Sequence, residues 1–205
     1  MDCNQFIAEI LKKEGVEWIA CFPSNPLIEA VAQQGIRPIA FRHERGAVMA
    51  ADGFSRTSNR KQFGIVAVQS QAGAENALGG VAQAYADNIP ILILPGGVSL
   101  SELAVQPNYS VSQNYPGVVK RVEAIYRSDQ VVAVMRRAFS ALRNGSPGPV
   151  AVELIADVCA MQATEHIDQY RPPPTIKQLP DSLDIRDAVQ ALLGAQRPLL
   201  WAGAG

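Results

Sequence analysis

Two short runs of apolar residues, 64–68 and 91–94, do most to restrict what this chain can fold into. Each run is four or five residues long and lacks the alternation of apolar with polar residues that a half-exposed strand would have. Strands of this kind are buried on both faces, as they are in parallel sheets that lie between two layers of helices. We therefore expect a sheet covered by helices on both sides.

Segments with helical and strand patterns alternate along residues 1–157. Apolar residues recur every three or four positions in the predicted helices, the first of which ends at Gly15. Six strands are predicted, at residues 18–22, 38–41, 64–68, 89–94, 124–126 and 150–154. Further helices are expected at residues 27–34, 44–58, 74–86 and 129–143. The predicted fold is α/β and doubly wound, with a mainly parallel six-stranded sheet and helices on both faces.

A proline-rich stretch after the last predicted strand divides the chain. The periodic pattern ends at Asp157, and the Arg-Pro-Pro-Pro tract at residues 171–174 is typical of a stiff, extended linker. We predict one domain over residues 1–157, a linker over residues 158–180, and the beginning of a truncated central domain over residues 181–205.

The pattern of residues 181–205 matches half of a supersecondary unit. Residues 183–193 have a helical pattern, and residues 198–205 have the pattern of a buried strand that runs into a glycine turn. The turn, Gly203-x-Gly205, lacks the third glycine and the helix of a dinucleotide-binding fingerprint. The chain is therefore expected to stop just inside a second domain.

Charge and cysteine content exclude several classes of protein. The chain has 18 Lys and Arg against 19 Asp and Glu, a net charge of −1, without blocks of either sign, so we expect neither nucleic acid nor an anionic membrane as a partner. The cysteines Cys3, Cys21 and Cys159 lack the spacing of a zinc site or a disulfide framework, and they are interpreted as buried or incidental thiols. No run approaches the roughly 18 apolar residues of a membrane span, and the N-terminus lacks a basic leader, so we predict a cytoplasmic protein.

The loops that follow the predicted strands are the places to look for chemistry. In doubly wound sheets, ligands bind beyond the carboxyl ends of the strands, so the four loops at residues 23–25, 42–44, 69–73 and 95–97 should meet at one edge. Glu44 begins a largely apolar helix. Its carboxyl could merely complement the helix dipole, by roughly a few tenths of a kcal/mol. Alternatively, it is a partly desolvated acid that serves a ligand.

Other common catalytic arrangements are poorly supported. The only histidines are His43 and His166, and no Ser-His-Asp or Cys-His set can be assembled around them. Asp52 lies eight positions after Glu44, a spacing that suits neither paired-carboxylate nor metal chemistry. The polar segment 69–76 precedes a helix and could either cap that helix or contact a ligand.

Taken together, these segments resemble the N-terminal, pyrimidine-binding domain of thiamine diphosphate enzymes of the acetolactate synthase and 2-oxoacid decarboxylase family. The most specific part is Arg-His-Glu-Arg-Gly-Ala at residues 42–47 with Ala-Ala-Asp-Gly-Phe-Ser-Arg at residues 50–56. The resemblance covers almost all of residues 1–157 and includes the segments at residues 15–17, 22–23, 73–77, 84–90 and 145–150. Residues 198–205 resemble the first strand of that family's central domain.

The resemblance implies roles for six residues. Glu44 matches the glutamate that hydrogen-bonds N1′ of the aminopyrimidine and thereby promotes loss of the thiazolium C2 proton. The residues implied to bind the cofactor are Pro23, Glu44, Gly73 and Asn76. Gln113 matches an active-site glutamine, and Gln71 is expected to contact the substrate beside it. The implied reaction is addition of the activated cofactor to a 2-oxoacid, with loss of carbon dioxide.

Four departures from the family pattern leave the substrate open. The usual Gly-Pro-Gly turn reads Gln-Ala-Gly at residues 71–73, and the Phe-Gln pair of acetolactate synthases reads Ser112-Gln113. Ala156 replaces a lysine that could contact an anionic substrate, and the twin histidines of pyruvate decarboxylases have no counterpart. A carboligase or lyase that acts on another 2-oxoacid or acyl donor remains open, so the enzyme class is lyase or transferase.

The resemblance also implies partners. The family binds Mg²⁺ and the diphosphate on a separate C-terminal domain, whose Gly-Asp-Gly and Asn motif is absent from this chain. No metal ligand is therefore predicted in these residues, which alone should be inactive. The family's site forms between two subunits, so we expect a homodimer or homotetramer. The alternatives are the small pyrimidine-binding subunit of a two-chain 2-oxoacid decarboxylase, or a non-catalytic α/β binding module in which Glu44 only begins a helix.

Overall fold

The structure, a computed structural model, describes residues 1–176 and 179–203. They divide into two compact units, Met1–Pro174 and Thr175–Gly205. The strands are β1 (Trp18–Cys21), β2 (Arg37–Ala40), β3 (Gly64–Val68), β4 (Ile91–Pro95), β5 (Arg121–Ile125) and β6 (Val150–Leu154). The helices are α1 (Cys3–Lys13), α2 (Leu27–Gln33), α3 (Glu44–Thr57), α4 (Ala72–Ala86), α5 (Val111–Asn114), α6 (Val131–Arg143), α7 (Ala156–Ala160) and α8 (Ser182–Gly194).

The six strands form one parallel sheet in the order β2-β1-β3-β4-β6-β5. In the centre, β3 and β4 pair along their whole length, with Ile65 opposite Leu92 and Ala67 opposite Leu94. The chain runs outward from β1 to β2 and then returns to form β3 on the other side of β1. The predicted doubly wound α/β fold is confirmed.

Alternate residues of the central strands enter two separate cores, one on each face of the sheet. Ile65 and Ala67 pack in the first core with apolar residues of α1, α2 and α6. Val66 and Val68 pack in the second core with small residues of α3 and α4. Both faces of the strand are buried, which is why the sequence shows an uninterrupted apolar run there.

Small residues allow the layer of α3 and α4 to lie close to the sheet. A Cβ added to Gly64 would lie 2.1 Å from the carbonyl oxygen of Ala51, and one added to Gly80 would lie 2.9 Å from Cγ1 of Val48. Close helix packing therefore explains the glycine at position 80. The second core is accordingly rich in alanine.

Two short helices lie in segments that have no helical pattern of apolar residues. α5 falls between β4 and β5, where no helix was predicted, and α7 follows directly after β6. Elements of four or five residues are too short to show a period of 3.6 residues. Contacts with distant parts of the chain therefore decide whether they form.

Residues 158–174 belong to the first unit and contact its helices. Tyr170 is fully buried, and its hydroxyl donates to the buried carboxylate of Glu14, which also accepts from Arg143. Lys13 Nζ donates to the carbonyl of Ile167 at 2.9 Å. The first part of the segment predicted to be a linker is therefore fixed to α1 and α6.

All three cysteines are free and buried, which confirms their interpretation as buried thiols. Burial raises the pKa of the Cys159 thiol to about 12 and that of the Cys3 thiol to about 11. Both thiols therefore stay protonated near neutral pH, and a protonated thiol is a weak nucleophile and metal ligand.

The second unit contains α8, which begins after Asp181, whose carboxylate accepts a hydrogen bond from the amide of Leu183. The buried strand predicted for residues 198–205 is wrong over its described part, because residues 198–203 form no strand and Leu199 and Trp201 are 86% and 93% exposed. A strand needs a neighbour to pair with its backbone, and none of the described residues pairs with this segment. Ala204 and Gly205 of the predicted glycine turn lie outside the described residues.

Candidate functional site

The candidate site lies at the carboxyl edge of the sheet, where the strand order reverses. β1 has β2 on one side and β3 on the other, so the loops that follow β1 and β3 diverge on opposite faces. Ligands of doubly wound proteins bind in the crevice at such a point. The loops after β1, β2 and β3 carry the predicted residues Pro23, Glu44, Gln71 and Gly73.

Glu44 is the first residue of α3, and it is only 3% exposed. The preceding His43 caps the helix, because its Nδ1 accepts a hydrogen bond of 3.1 Å from the amide of Arg45. Asn76, on α4, donates from Nδ2 to Oε2 of Glu44 at 3.3 Å. No described residue donates a hydrogen bond to Oε1. One oxygen of a buried carboxyl is therefore left for another partner.

Gly73 borders that oxygen. A Cβ at position 73 would lie 3.3 Å from Glu44 Oε1 and only 2.3 Å from Cγ of Gln69. The first turns of α3 and α4 thus meet around a position where only glycine fits without displacing a neighbour. Three predicted site residues, Glu44, Gly73 and Asn76, are brought together here.

The other predicted site residues are placed at the surface. Pro23, in the loop after β1, and Gln71, which precedes α4, are both exposed. Gln113 lies on α5 and is also exposed. No hydrogen bond among the described residues joins any of these three side chains to Glu44.

Asn25 is a buried residue that joins loops and strand ends at this edge, and the sequence analysis did not identify it. Its Nδ2 donates to the carbonyl oxygens of Val68 at 2.8 Å and Leu94 at 3.0 Å, and its Oδ1 accepts from the amide of Leu27. The loop after β1 is therefore tied to the ends of β3 and β4. The only available signal was its position directly after the Phe-Pro-Ser segment.

Tyr115 connects the segment of α5 to the first turn of α4. It is fully buried, and its hydroxyl donates to the carbonyl of Ala74 at 2.6 Å. Burial raises the pKa of this phenol far above its usual range, so it remains a neutral donor. Gln113 is consequently two residues away from a fixed contact with the helix that carries Gly73 and Asn76.

The second half of the family-like motif, residues 50–56, forms structural contacts. Ser55 Oγ donates to the carbonyl of Pro90 at 2.7 Å and accepts from the amide of Gly64 at 2.9 Å. Arg56 pairs with Asp52 at 3.0 Å and with Asp87 at 2.7 Å. These residues hold the far end of α3 against β3 and β4.

Two cavities lie at opposite edges of the sheet. One of about 140 Å³ is at the carboxyl edge and is lined by Ser24, Asn25, Ser70 and Gly96. The other, of about 240 Å³, is at the amino edge, near Trp18 and Arg143, and so lies away from Glu44.

Over the described part of the chain, no group of three or more His, Cys, Asp or Glu side chains is arranged to hold a metal ion. Among the described helices, none is long and apolar enough to cross a membrane.

Sequence comparison with known proteins identifies the family of this chain. The chain is 31% identical over 211 residues to the acetolactate synthase large subunit of Lactococcus lactis subsp. lactis, a match that covers 98% of this chain and 36% of that protein. It is 29% identical to the acetolactate synthase large subunit of Haemophilus influenzae, over 98% of this chain and 36% of that protein. It is 31% identical to the glyoxylate carboligase of Escherichia coli O157:H7, over 96% of this chain and 34% of that protein.

The chain thus spans about a third of the length of the curated relatives it matches. Residues 1–117 match the family model described as "Thiamine pyrophosphate enzyme, N-terminal TPP binding domain". That range contains Glu44, Gly73, Asn76 and Gln113. This chain belongs to the thiamine pyrophosphate enzyme family and contains its N-terminal TPP-binding domain.

Proposed function

We propose that this chain is the pyrimidine-binding part of a thiamine diphosphate enzyme that decarboxylates or ligates a 2-oxoacid, with Glu44 as the residue that activates the cofactor. The observation that carries the proposal is the buried Glu44 carboxyl, whose Oε1 has no donor among the described residues and is bordered by Gly73. The names of the relatives, acetolactate synthase and glyoxylate carboligase, support carboligation as the outcome.

The residues at the carboxyl edge fit an aminopyrimidine. Glu44 offers Oε1 to a ring nitrogen, Gly73 leaves room beside it, and Asn76 holds the other carboxyl oxygen at 3.3 Å. Pro23, exposed in the loop after β1, offers an apolar surface without a backbone donor. When bound, thiamine diphosphate supplies a carbon nucleophile and an electron sink for chemistry at the 2-oxoacid carbonyl.

The placement of Glu44 suits proton transfer. A carboxyl that water reaches poorly exchanges its proton with a bound ring rather than with solvent, and its interactions are stronger in the low local dielectric. Oε2 of Glu44 stays hydrogen-bonded to the Asn76 amide whether or not Oε1 carries a proton. Glu44 can therefore hold a proton at Oε1 and release it without losing all its partners.

Substrate contacts are assigned to Gln71 and Gln113, whose exposed amides can donate to a carboxylate. Ala156 is exposed at the start of α7 and supplies no cation. We propose that the diphosphate and Mg²⁺ are bound by a domain outside these residues, in a homodimer or homotetramer that completes the site. A separate small subunit of a two-chain 2-oxoacid decarboxylase would use Glu44 in the same way.

The test is Glu44→Gln in the protein purified from its source cells, assayed with thiamine diphosphate and Mg²⁺. Release of carbon dioxide is measured with a panel of 2-oxoacids that includes glyoxylate. Turnover should fall by about 10²–10⁴-fold, the usual contribution of a positioned acid or base. The thermal midpoint should change little, because glutamine keeps the size of the side chain.

Glu29→Gln is the matched control, because Glu29 is also an acid in the first turn of a helix but is exposed on α2. It loses the same interaction with a helix dipole, and its turnover should stay unchanged. If Glu44→Gln turns over every accepted 2-oxoacid at the rate of the unmodified protein, the catalytic role is wrong. The interpretation as a non-catalytic α/β binding module would then be favoured.

A further inference from the structure

Glu153, near the end of β6, carries a buried carboxyl group. Its side chain is 2% exposed, and no Lys, Arg or His of the described residues forms an ion pair with it. A buried carboxylate normally needs several donors to remain in a folded protein. The donors to Glu153 therefore indicate which part of the structure it stabilises.

The four donors to Glu153 among the described residues come from three consecutive positions, 110–112. Ser110 Oγ and the amide of Val111 donate at 3.1 and 3.2 Å, and Ser112 donates from its amide at 3.1 Å and from Oγ at 2.7 Å. These groups form the start of α5. Glu153 thus bonds the N-terminal turn of α5 across a separation of more than 40 residues.

The short helix α5 needs tertiary contacts such as these four hydrogen bonds to keep its conformation. It has only four residues, and so short a helix is unstable without tertiary contacts because nucleation costs more than its few internal hydrogen bonds return. Gln113 is the residue directly after Ser112 on the same turn. The backbone position of Gln113 therefore depends on the turn that Glu153 holds.

Two further contacts fix the position of this assembly. A Cβ at Gly97 would lie 3.2 Å from Cγ of Glu153, so the loop after β4 packs tightly against the carboxylate stem. On the other side, Tyr115 bonds the carbonyl of Ala74 in the first turn of α4. Glu153 and Tyr115 together place Gln113 relative to the helix that carries Gly73.

We propose that Glu153 is a positioning residue, whose buried carboxylate orients α5 so that Gln113 can bind the carboxylate of a 2-oxoacid. The inference rests on the proposed function, since Gln113 has this role only if such a substrate binds here. A carboxylate is needed because its two oxygens together accept all four hydrogen bonds. A glutamine would turn an NH₂ group toward some of the same donors.

Kinetics of Glu153→Gln in the protein purified from its source cells test the proposal. The KM for the accepted 2-oxoacid should rise about tenfold, the size expected when hydrogen bonds to a charged group are lost, while kcat changes by less than about threefold. The dissociation constant of thiamine diphosphate should stay unchanged. A KM equal to that of the unmodified protein, or parallel losses in kcat, KM and cofactor affinity, would overturn the proposal.

Amide hydrogen exchange gives a readout that does not depend on catalysis. In Glu153→Gln, exchange across residues 110–114 should accelerate by about tenfold or more, while residues 64–68 of β3 stay protected. Glu123→Gln is the matched control, because Glu123 lies on the neighbouring β5 and bonds Arg121 and Arg137 at a partly exposed position. It should leave both the KM and the exchange of residues 110–114 unchanged.

Ser112→Ala keeps the experiment decisive if Glu153→Gln fails to fold. It removes the 2.7 Å bond but leaves the carboxylate and its other donors in place, and it should raise KM by about threefold to tenfold. If Glu44→Gln abolishes turnover and Ser112→Ala leaves KM unchanged, only the positioning role is wrong. If Glu44→Gln leaves turnover unchanged, the proposed function itself fails.

Discussion

The polar residues at the two ends of α3 differ in whether other residues of the chain satisfy their hydrogen bonds. At the first turn, Glu44 is buried with one oxygen that no described residue satisfies. Toward the other end, Asp52, Ser55 and Arg56 all have partners within the chain. One end of α3 therefore carries a buried carboxyl with an oxygen that accepts no hydrogen bond from the described residues, and the other end carries polar groups that complete the fold.

The C-terminal end of α3 is hydrogen-bonded to three other parts of the fold. Ser55 bonds the carbonyl of Pro90 just before β4 and the amide of Gly64 at the start of β3. Arg56 bridges Asp52 on its own helix and Asp87 after α4. Substitutions at this end should lower stability, whereas substitutions near Glu44 should lower activity at nearly constant stability.

The largest effect on stability is expected from Ser55→Ala. It leaves the Pro90 carbonyl and the Gly64 amide without their partner in a buried place, at about 1–3 kcal/mol for each group. The free energy of unfolding in urea should fall accordingly, with a lower thermal midpoint. Ser58→Ala, at the more exposed C-cap of α3, should lose clearly less.

Measuring kcat in the same Ser55→Ala protein tests whether this end of α3 affects stability alone. Below its unfolding transition, its kcat should match that of the unmodified protein, because Ser55 does not contact the candidate site. A large fall in kcat with unchanged stability would break the division between the ends of α3.

Gly73→Ala should affect function more than folding. The new methyl group would press on Gln69 and approach Oε1 of Glu44, so affinity for thiamine diphosphate should fall by about tenfold or more, measured by titration of activity. Gly53→Ala is the control, because nothing lies within 4 Å of its added Cβ. Inside α3 that substitution should stabilise the protein by about 1 kcal/mol, and equal cofactor affinity in both variants would contradict the role of Gly73.

The smallest effect is expected from Asp87→Asn. Its ion pair with Arg56 is partly exposed on both sides, and such pairs contribute about 1 kcal/mol or less. Urea unfolding should show a small loss at low salt that disappears near 1 M NaCl, because salt screens exposed charges. A loss that persists at high salt would show that the hydrogen bond, and not the charge, holds this end of α3.

Strand positions were predictable where apolar residues run without interruption. The predicted strand at residues 64–68 matches β3, whereas the one at residues 124–126 captured only the end of β5. Arg121 and Glu123 are partly exposed on this edge strand and bond each other, so they broke the apolar pattern. The strand expected at residues 198–205 shows the reverse error over its described residues, 198–203, because an apolar run alone does not supply a neighbour to pair with.

The sequence by itself determined the doubly wound sheet, the edge at which its loops meet and the candidate acid Glu44, because each depends on local patterns and on motifs of a few residues. Only the tertiary structure decided that Asn25 joins the ends of β3 and β4, that Tyr115 reaches α4, and that Glu153 organises α5. These bonds join residues 41 to 69 positions apart. Such contacts leave no periodic trace along the chain, because their partners become neighbours only when the sheet has assembled.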